Sequence, residues 1–239
     1  MKLAVCLSGQ PRYLNGPQMS SLQDLLKGDV YCFFWGPPID VSMLNPKRVQ
    51  FQEQEVFSDE GAAQRCASMY SAMQRSYALV PEPYEYDFII RLRTDIWIDS
   101  MPTFKDLDRS RIHFPAITSR HGTPNILNHC FVCPPVFADT LFSIAKYHEQ
   151  MPCDASQYDE KLMYEYLEHT NLLKHVQQHS SFRLTRIYRG GGTFHIDSVS
   201  LRTAVAAVTL AVLLFLRLLN SILLATLTYN ATTSHALLR

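Results

Sequence analysis

The chain has 239 residues, of which 47% are hydrophobic, and this size suits one full domain with an appendage rather than two domains. Its formal net charge is zero, but the distribution is uneven. Three of the 22 basic residues and none of the 22 acidic ones lie beyond residue 200, which leaves residues 1–200 with 19 basic groups and a net charge of −3. A slightly acidic domain without a basic stripe binds nucleic acid poorly, so we expect no nucleic-acid partner.

The first residues, Met1–Leu7, form an apolar run that is too short for the core of a signal peptide, and Ser8-Gly9 follows directly. We expect this run to be a buried strand and the domain to be made and kept in the cytosol. Six cysteines fit that compartment, and we expect them to be reduced thiols packed in the core: Cys6, Cys32, Cys66, Cys130, Cys133 and Cys153.

Apolar runs alternate with amphipathic segments along residues 1–200, and this order predicts an α/β domain. Lys2–Leu7 and Val30–Trp35 have the pattern of buried strands, with a helix marked by Met19 and Leu22 between them. Such a strand, helix and strand with short turns begin a doubly wound, mostly parallel sheet with helices on both faces. The later predicted strands are Asp87–Arg93, Ile112–Phe114, His129–Cys133 and Arg183–Tyr188, and the later predicted helices are Cys66–Tyr77, Phe137–Tyr147 and Glu160–Leu173.

The composition changes after residue 200, where the 25 residues 203–227 are almost entirely apolar. A stretch of this length can span a bilayer as a helix. Arg217 interrupts it at a cost of about 2.5–3.5 kcal/mol on insertion scales, which the leucine-rich remainder can outweigh. We therefore expect a domain over residues 1–200 and a hydrophobic C-terminal helix within residues 201–239 that anchors it to a membrane. An extension that was not selected for folding is the alternative.

Two arginines interrupt the third predicted strand, where a strand covered on both faces should be apolar throughout. The period of two places Arg91, Arg93 and Asp95 on one face. Cations in a sheet are costly unless an anion meets them, and open α/β sheets bind ligands at the carboxyl ends of their strands. We therefore expect a diphosphate at this edge. The alternative is an internal salt bridge to Asp87 or Glu85.

The segment Tyr86-Asp87-Phe88-Ile89-Ile90-Arg91-Leu92-Arg93-Thr94-Asp95 resembles the hydrophobic-Arg-x-Arg-x-Asp signature of glycosyltransferases with the GT-A fold. That group includes the capsular-polysaccharide type and the N-terminal domain of the chlorella-virus capsid glycosyltransferase. Four further segments are similar to the family, in the same order along residues 2–196: Cys6 to Arg12, Asp29 to Trp35, Ser68 to Ser71 and Asn128 to Val132. The resemblance implies the Rossmann-like GT-A fold and a nucleotide-sugar-dependent transferase of glycan biosynthesis.

The resemblance also implies how the donor is held. The positions that match the family's nucleotide and diphosphate contacts are Ser8, Gly9, Gln10, Arg12, Arg91 and Arg93. A divalent cation, Mn²⁺ or Mg²⁺, is expected on Asp95, with His195 completing its ligands. The chain departs from the family's Asp-x-Asp pattern, because Arg93 stands two residues before Asp95. As the alternative, the two arginines neutralise the diphosphate instead of a metal, and His195 is an ordinary histidine.

In the family, an acidic residue at the start of the helix after residue 150 is the general base of inverting transfer. Asp159 is the best match, with Glu160 and Asp154 behind it, and a helix cap is the alternative role. The resemblance thus implies sugar transfer from a UDP- or dTDP-linked donor to a hydroxyl of a glycan or glycoprotein. A competing interpretation is a non-catalytic, membrane-tethered binding or structural protein with a degenerate glycosyltransferase fold. A nucleotidyltransferase is a third, and the lack of lysine in the first loop disfavours it.

Overall fold

The computed structural model describes residues 1–11, 14, 18–20, 22, 27–58, 61–120, 122–150, 159–187 and 193–197. The predicted tail, residues 201–239, lies outside these ranges, as do the predicted site residues Arg12 and Asp154 and the glycine run at 190–192. Of the helices within the described ranges, none has both the length and the apolar character needed to cross a bilayer.

In the described ranges the chain forms twelve strands and four α-helices, besides helical residues at 18–20 and 22. The strands are β1 (Leu3–Gly9), β2 (Asp29–Trp35), β3 (Arg48–Gln52), β4 (Phe88–Arg93), β5 (Ile96–Ser100), β6 (Ile112–Phe114), β7 (Ile117–Arg120), β8 (Thr123–Ile126), β9 (Cys130–Cys133), β10 (Val176–Gln178), β11 (Arg183–Ile187) and β12 (Thr193–Asp197). The helices are α1 (Gly61–Ala78), α2 (Pro135–Phe142), α3 (Ile144–Gln150) and α4 (Asp159–His169).

Seven strands form the central sheet, in the order β10-β6-β9-β4-β1-β2-β3. The strands β4, β1, β2 and β3 pair in parallel, and β10 pairs in parallel with β6. Only β9 in this sheet pairs antiparallel, with β4 on one side and β6 on the other. The prediction of a mixed α/β domain with a mostly parallel sheet is therefore confirmed for the described residues.

The two faces of this sheet bury different side chains, because successive residues of a strand point to opposite faces. On one face Val5 packs with Met19 and Leu22 of the N-terminal helical residues, and with apolar side chains of β5 and β11. On the other face Cys6 packs with Tyr70 and with the apolar sides of all four α-helices. Helical residues therefore cover both faces, as predicted.

The cysteines of the described ranges behave as predicted core thiols. Cys6, Cys32, Cys66, Cys130 and Cys133 are all buried and free, while Cys153 lies outside the described residues. Burial raises the pKa of the Cys32 and Cys130 thiols to about 12. Thiols with such a pKa carry almost no thiolate at neutral pH, so these two are packing residues rather than nucleophiles.

Two smaller sheets flank the central one. The strands β12, β11 and β5 form an antiparallel sheet, and β7 and β8 form a hairpin that contacts α4. The strand predicted from Arg183 is present as β11. It pairs with β5 and β12 and not with a strand of the central sheet, and the sequence pattern predicted no partner for it.

Two predicted helices are longer than the observed ones, and local backbone and side-chain interactions explain where each is interrupted. The helix predicted over Phe137–Tyr147 is broken into α2 and α3 at Ser143, whose hydroxyl donates to the Asp139 carbonyl at 2.7 Å. The helix predicted to reach Leu173 ends at His169, because Asn171 adopts a left-handed φ of 58°. The amide of Leu172 then closes the helix end by donating to the Leu167 carbonyl at 2.8 Å.

His113 on β6 is a fully buried histidine. Its Nε2 donates to the carbonyl oxygen of Asp108 at 2.9 Å, and its ring contacts the rings of Phe88 and His179. Its Nδ1 is buried without a hydrogen-bond partner among the described residues. Burial, opposed by the Asp108 carbonyl and reinforced by His179, lowers the pKa of His113 below its ordinary value of 6.5.

We expect the free energy of unfolding to decrease as the pH falls below 6.5. The unfolded chain takes up a proton at His113 more readily than the folded protein, so protonation favours unfolding until the pH falls below the folded-state pKa. Each unit by which the pKa is lowered corresponds to about 1.4 kcal/mol. Urea unfolding at about pH 7.5 and about pH 5 measures how much the free energy of unfolding changes between the two pH values. This change should be smaller for His113→Phe than for the parent chain. The exposed His169→Phe is the control and should leave the difference unchanged.

Candidate functional site

The ends of β1 and β4 are joined at the carboxyl edge of the central sheet. The amide of Thr94 donates to the Ser8 carbonyl at 3.3 Å, and the Thr94 hydroxyl donates to the Gln10 carbonyl at 2.7 Å. Gly9 lies between them with a φ of +135°, and a Cβ there would come within 2.8 Å of the Thr94 hydroxyl oxygen. Glycine tolerates both the close approach and this φ, so the predicted nucleotide loop is held against the strand that carries the arginines.

The guanidinium of Arg93, at the end of β4, binds two carboxylates. Its Nε and Nη2 donate to the two oxygens of Asp95 at 2.8 and 2.6 Å. Its Nη1 donates to a carboxylate oxygen of Asp159, the first residue of α4, at 3.4 Å. The side chains of Arg93, Asp95 and Asp159 are 15%, 13% and 23% exposed, so the cluster reaches the protein surface. We call these three residues the edge cluster.

Charge holds the edge cluster together. Burial lowers the pKa of Arg93, but the charges of Asp95, Asp159 and Glu160 and the Asp95 hydrogen bonds outweigh it and raise that pKa above its ordinary value. A bidentate arginine–carboxylate pair is stronger and more directional than a single ion pair. The alternative salt-bridge partner Asp87, which the sequence left open, binds Arg109 and the amino-terminal residues instead.

Arg91, the other predicted diphosphate contact, lies in the interior. Its side chain is fully buried, and its Nη1 donates to the carbonyl oxygen of His129 at 2.7 Å. The same carbonyl accepts the backbone amide of Arg93 at 3.2 Å. Burial, with the charge of Arg93, lowers the pKa of Arg91 to about 9, so the guanidinium remains charged at neutral pH. Arg91 is thus placed to support the edge cluster from within, and its contact with a diphosphate stays a prediction.

The other predicted site residues are placed as follows. Ser8 is buried at the end of β1, and the side chain of Gln10 donates to Gln54 at 2.7 Å. Glu160 follows Asp159 in the first turn of α4 and adds its charge near Arg93. The backbone of His195 lies on β12 opposite Thr185, and its side chain is outside the described part of the structure.

Two buried polar side chains beside the site were not among the predicted residues. The Nε2 of Gln18 donates to the carbonyls of Thr94 and Ile96 at 2.9 Å each, which fixes the turn after β4. The Nδ2 of Asn128 donates to the hydroxyl of Tyr70 at 3.0 Å. A glutamine beside apolar helical positions was a usable signal for Gln18. Asn128 was identified only as the first residue of the family-like segment Asn128 to Val132 and not as a site residue.

A divalent cation is the cofactor that the family resemblance implies. Carboxylate oxygens are the donors that Mn²⁺ and Mg²⁺ prefer, and Asp95 and Asp159 supply them. Both oxygens of Asp95, however, already accept hydrogen bonds from Arg93. No group of three or more His, Cys, Asp or Glu side chains in the described ranges is arranged to hold a metal ion. The described residues therefore do not form a cation site as they stand, and the metal requirement stays a prediction.

Comparisons with known proteins identify no family for this chain. No protein-family model matches it, and no curated protein matches it. Among solved structures, it is similar to the crystal structure of a glycosyltransferase involved in the glycosylation of the major capsid of PBCV-1. The TM-score is 0.46 at 13% sequence identity, over 75% of this chain and 81% of that one. A likeness at this level assigns neither family nor activity.

We expect Arg93→Met to lower the free energy of unfolding by about 2–3 kcal/mol, because it leaves two carboxylates facing each other in a partly buried site. Arg109→Met is the control, since Arg109 forms one ion pair to Asp87 at 2.9 Å with a side chain that is 67% exposed. Its loss should cost less than about 1 kcal/mol. Urea unfolding of the full chain measures both, and equal losses would contradict the structural role of the edge cluster.

Proposed function

We propose that the chain is a glycosyltransferase that moves a sugar from a UDP- or dTDP-linked donor to a hydroxyl of a glycan or glycoprotein, with inversion. One observation supports it above the others. Asp159 and Arg93 are 66 residues apart in the sequence, yet Arg93 binds both Asp159 and Asp95 at the carboxyl edge of a mostly parallel sheet. Open α/β sheets bind their ligands at this edge, and an exposed carboxylate beside cations is what the transfer reaction needs.

Asp159 is the general base in this proposal. The acceptor oxygen forms a bond to the anomeric carbon, and the bond from that carbon to the donor diphosphate breaks with its electron pair going to the departing nucleoside diphosphate. The proton of the acceptor hydroxyl passes to the Asp159 carboxylate. Asp159 begins α4 and touches Arg93 at 3.4 Å, so its position is set by the helix and by the end of β4.

The arginines face the negative charge that develops on the leaving diphosphate. Arg93 lies at the surface of the edge and Arg91 lies buried behind it, so both contribute a positive potential there. Because Arg93 is bound to Asp95 and Asp159, a diphosphate that docks on its guanidinium must displace at least one carboxylate. Donor binding is therefore expected to rearrange the edge cluster.

The same observation keeps a second function open. In the described structure the Arg93 guanidinium is satisfied by protein carboxylates, which also suits a binding or structural protein that keeps the fold without the reaction. The two functions differ in one measurement. A transferase releases nucleoside diphosphate in the presence of donor and acceptor, whereas a binding protein only gains stability, about 2.7 kcal/mol at 100 times the Kd of the donor.

We expect Asp159→Asn to lower kcat for sugar transfer about 100-fold to 10,000-fold, because the amide cannot accept the proton. Asp95→Asn should also lower transfer, by weakening the hold on Arg93 at the edge. Asp108→Asn is the matched control: this carboxylate is exposed, bonds Ser110 and pairs weakly with Arg111. Nucleoside diphosphate release is measured with UDP- and dTDP-sugars on the full chain, with Mn²⁺, with Mg²⁺ and with EDTA.

Four results would refute parts of this proposal. Transfer that is unchanged in Asp159→Asn removes the base, and unchanged transfer in Asp95→Asn removes Asp95 from the site. Full activity in EDTA shows that no divalent cation is required. Donor-dependent stabilisation without product release, in all cation conditions, favours the binding protein.

A further inference from the structure

Tyr70 is a fully buried tyrosine in the middle of α1, on the face of the central sheet that the four α-helices cover. Its ring packs within the apolar cluster that includes Cys66, Met73 and Phe131. A side chain held in this way has little rotational freedom, so its hydroxyl is presented at a fixed point. That point is the start of α4.

The Tyr70 hydroxyl joins two segments that meet at the candidate site. It donates to the backbone carbonyl of Asp159 at 2.5 Å and accepts the Nδ2 of Asn128 at 3.0 Å. Asn128 is itself buried, in the turn between β8 and β9. The chain of hydrogen bonds therefore runs from the turn before β9, through α1, to the first residue of α4.

The carbonyl that Tyr70 binds belongs to the same residue whose carboxylate contacts Arg93. Asp159 is therefore held at two points, by Tyr70 on its backbone and by Arg93 on its side chain at 3.4 Å. An aspartate side chain has only two rotatable bonds, so fixing its backbone confines its carboxylate to a small volume. If a donor that docks on Arg93 displaces Asp159 from the guanidinium, then of these two points only the Tyr70 hydrogen bond still holds Asp159 in place.

We propose that Tyr70 is a positioning residue for sugar transfer, which holds the backbone of Asp159 so that its carboxylate keeps its place when Arg93 engages the donor. The inference rests on the proposed function, since it assigns Tyr70 a part in the same reaction. Tyr70 touches neither donor nor acceptor in this role. It acts through Asp159, with Asn128 orienting its hydroxyl.

The test compares Tyr70→Phe with Tyr166→Phe in the full chain. Both hydroxyls donate to a backbone carbonyl at 2.5 Å, Tyr70 to Asp159 and Tyr166 to Thr140, and both residues are buried. We expect kcat to fall about tenfold to 100-fold in Tyr70→Phe, with the donor KM within about twofold, because small misplacements of a reacting group are costly. Tyr166→Phe should keep kcat within about twofold. Tyr70→Phe should lose more thermal stability, because it also leaves the Nδ2 of buried Asn128 without its acceptor.

A second measurement does not need activity. Hydrogen exchange of the amides in the first turn of α4 should become about tenfold faster in Tyr70→Phe and stay unchanged in Tyr166→Phe. If Asp159→Asn is inactive but Tyr70→Phe and Tyr166→Phe have equal exchange rates and equal kcat, the positioning role of Tyr70 is overturned and the proposed function is not. If Asp159→Asn retains full transfer, or the parent chain transfers no sugar, the proposed function fails and the positioning role fails with it.

Discussion

One guanidinium spans the gap between the end of β4 and the start of α4. Arg93 binds Asp95 through two parallel hydrogen bonds and reaches Asp159 from its third nitrogen. Asp95 is two residues from Arg93 and Asp159 is 66 residues away, and none of the three side chains is fully buried. Without the guanidinium, two carboxylates would repel each other at the edge where the sheet offers a ligand site. The geometry of the candidate site thus depends on Arg93, which offsets the negative charge of Asp95 and Asp159 and sets the positions of their carboxylates.

The buried Arg91 lowers the stability of the protein at this site and also makes the site rigid. Arg91 is fully buried and binds a neutral carbonyl, and its Nε has no partner among the described residues. A buried charge of this kind lowers stability unless it is compensated. The carbonyl of His129 accepts from Arg91 and from the amide of Arg93, so one oxygen ties the two arginines together. Residues that lower stability are typical of sites kept for function rather than for folding, and Arg91 fits this description beside the candidate site.

The sequence predicted the parts of this structure that follow from periodicity. The strands at Leu3–Gly9, Asp29–Trp35 and Phe88–Arg93 appear close to their expected bounds, because buried runs define them directly. The helix α1 ends close to its predicted end at Tyr77 but begins at Gly61, before the apolar stripe that starts at Cys66. The meeting of Arg93 with Asp159 depended on tertiary packing, which no local pattern encodes. The pairing of β11 with β5 was not predicted either, because strand partners depend on tertiary packing. The break at Ser143 has a local cause, a hydroxyl that bonds the carbonyl four residues earlier, and the apolar periodicity does not report it. Arg91 was placed on the correct strand, but the burial of its side chain depends on tertiary packing around β4.

The reversed direction of β9 has a consequence for how the site can vary. Among the parallel strands, β1 and β4 meet the candidate site with their last residues, whereas the antiparallel β9 meets it with the residues that precede its first one. Asn128 and His129 are the two residues before β9, and they follow the β7–β8 hairpin. A change in the length of the turn between β8 and β9 would therefore move the partners of both the Tyr70 hydroxyl and the Arg91 guanidinium. A change after Cys133 falls at the opposite rim of the sheet, so the two ends of one short strand tolerate insertions very differently.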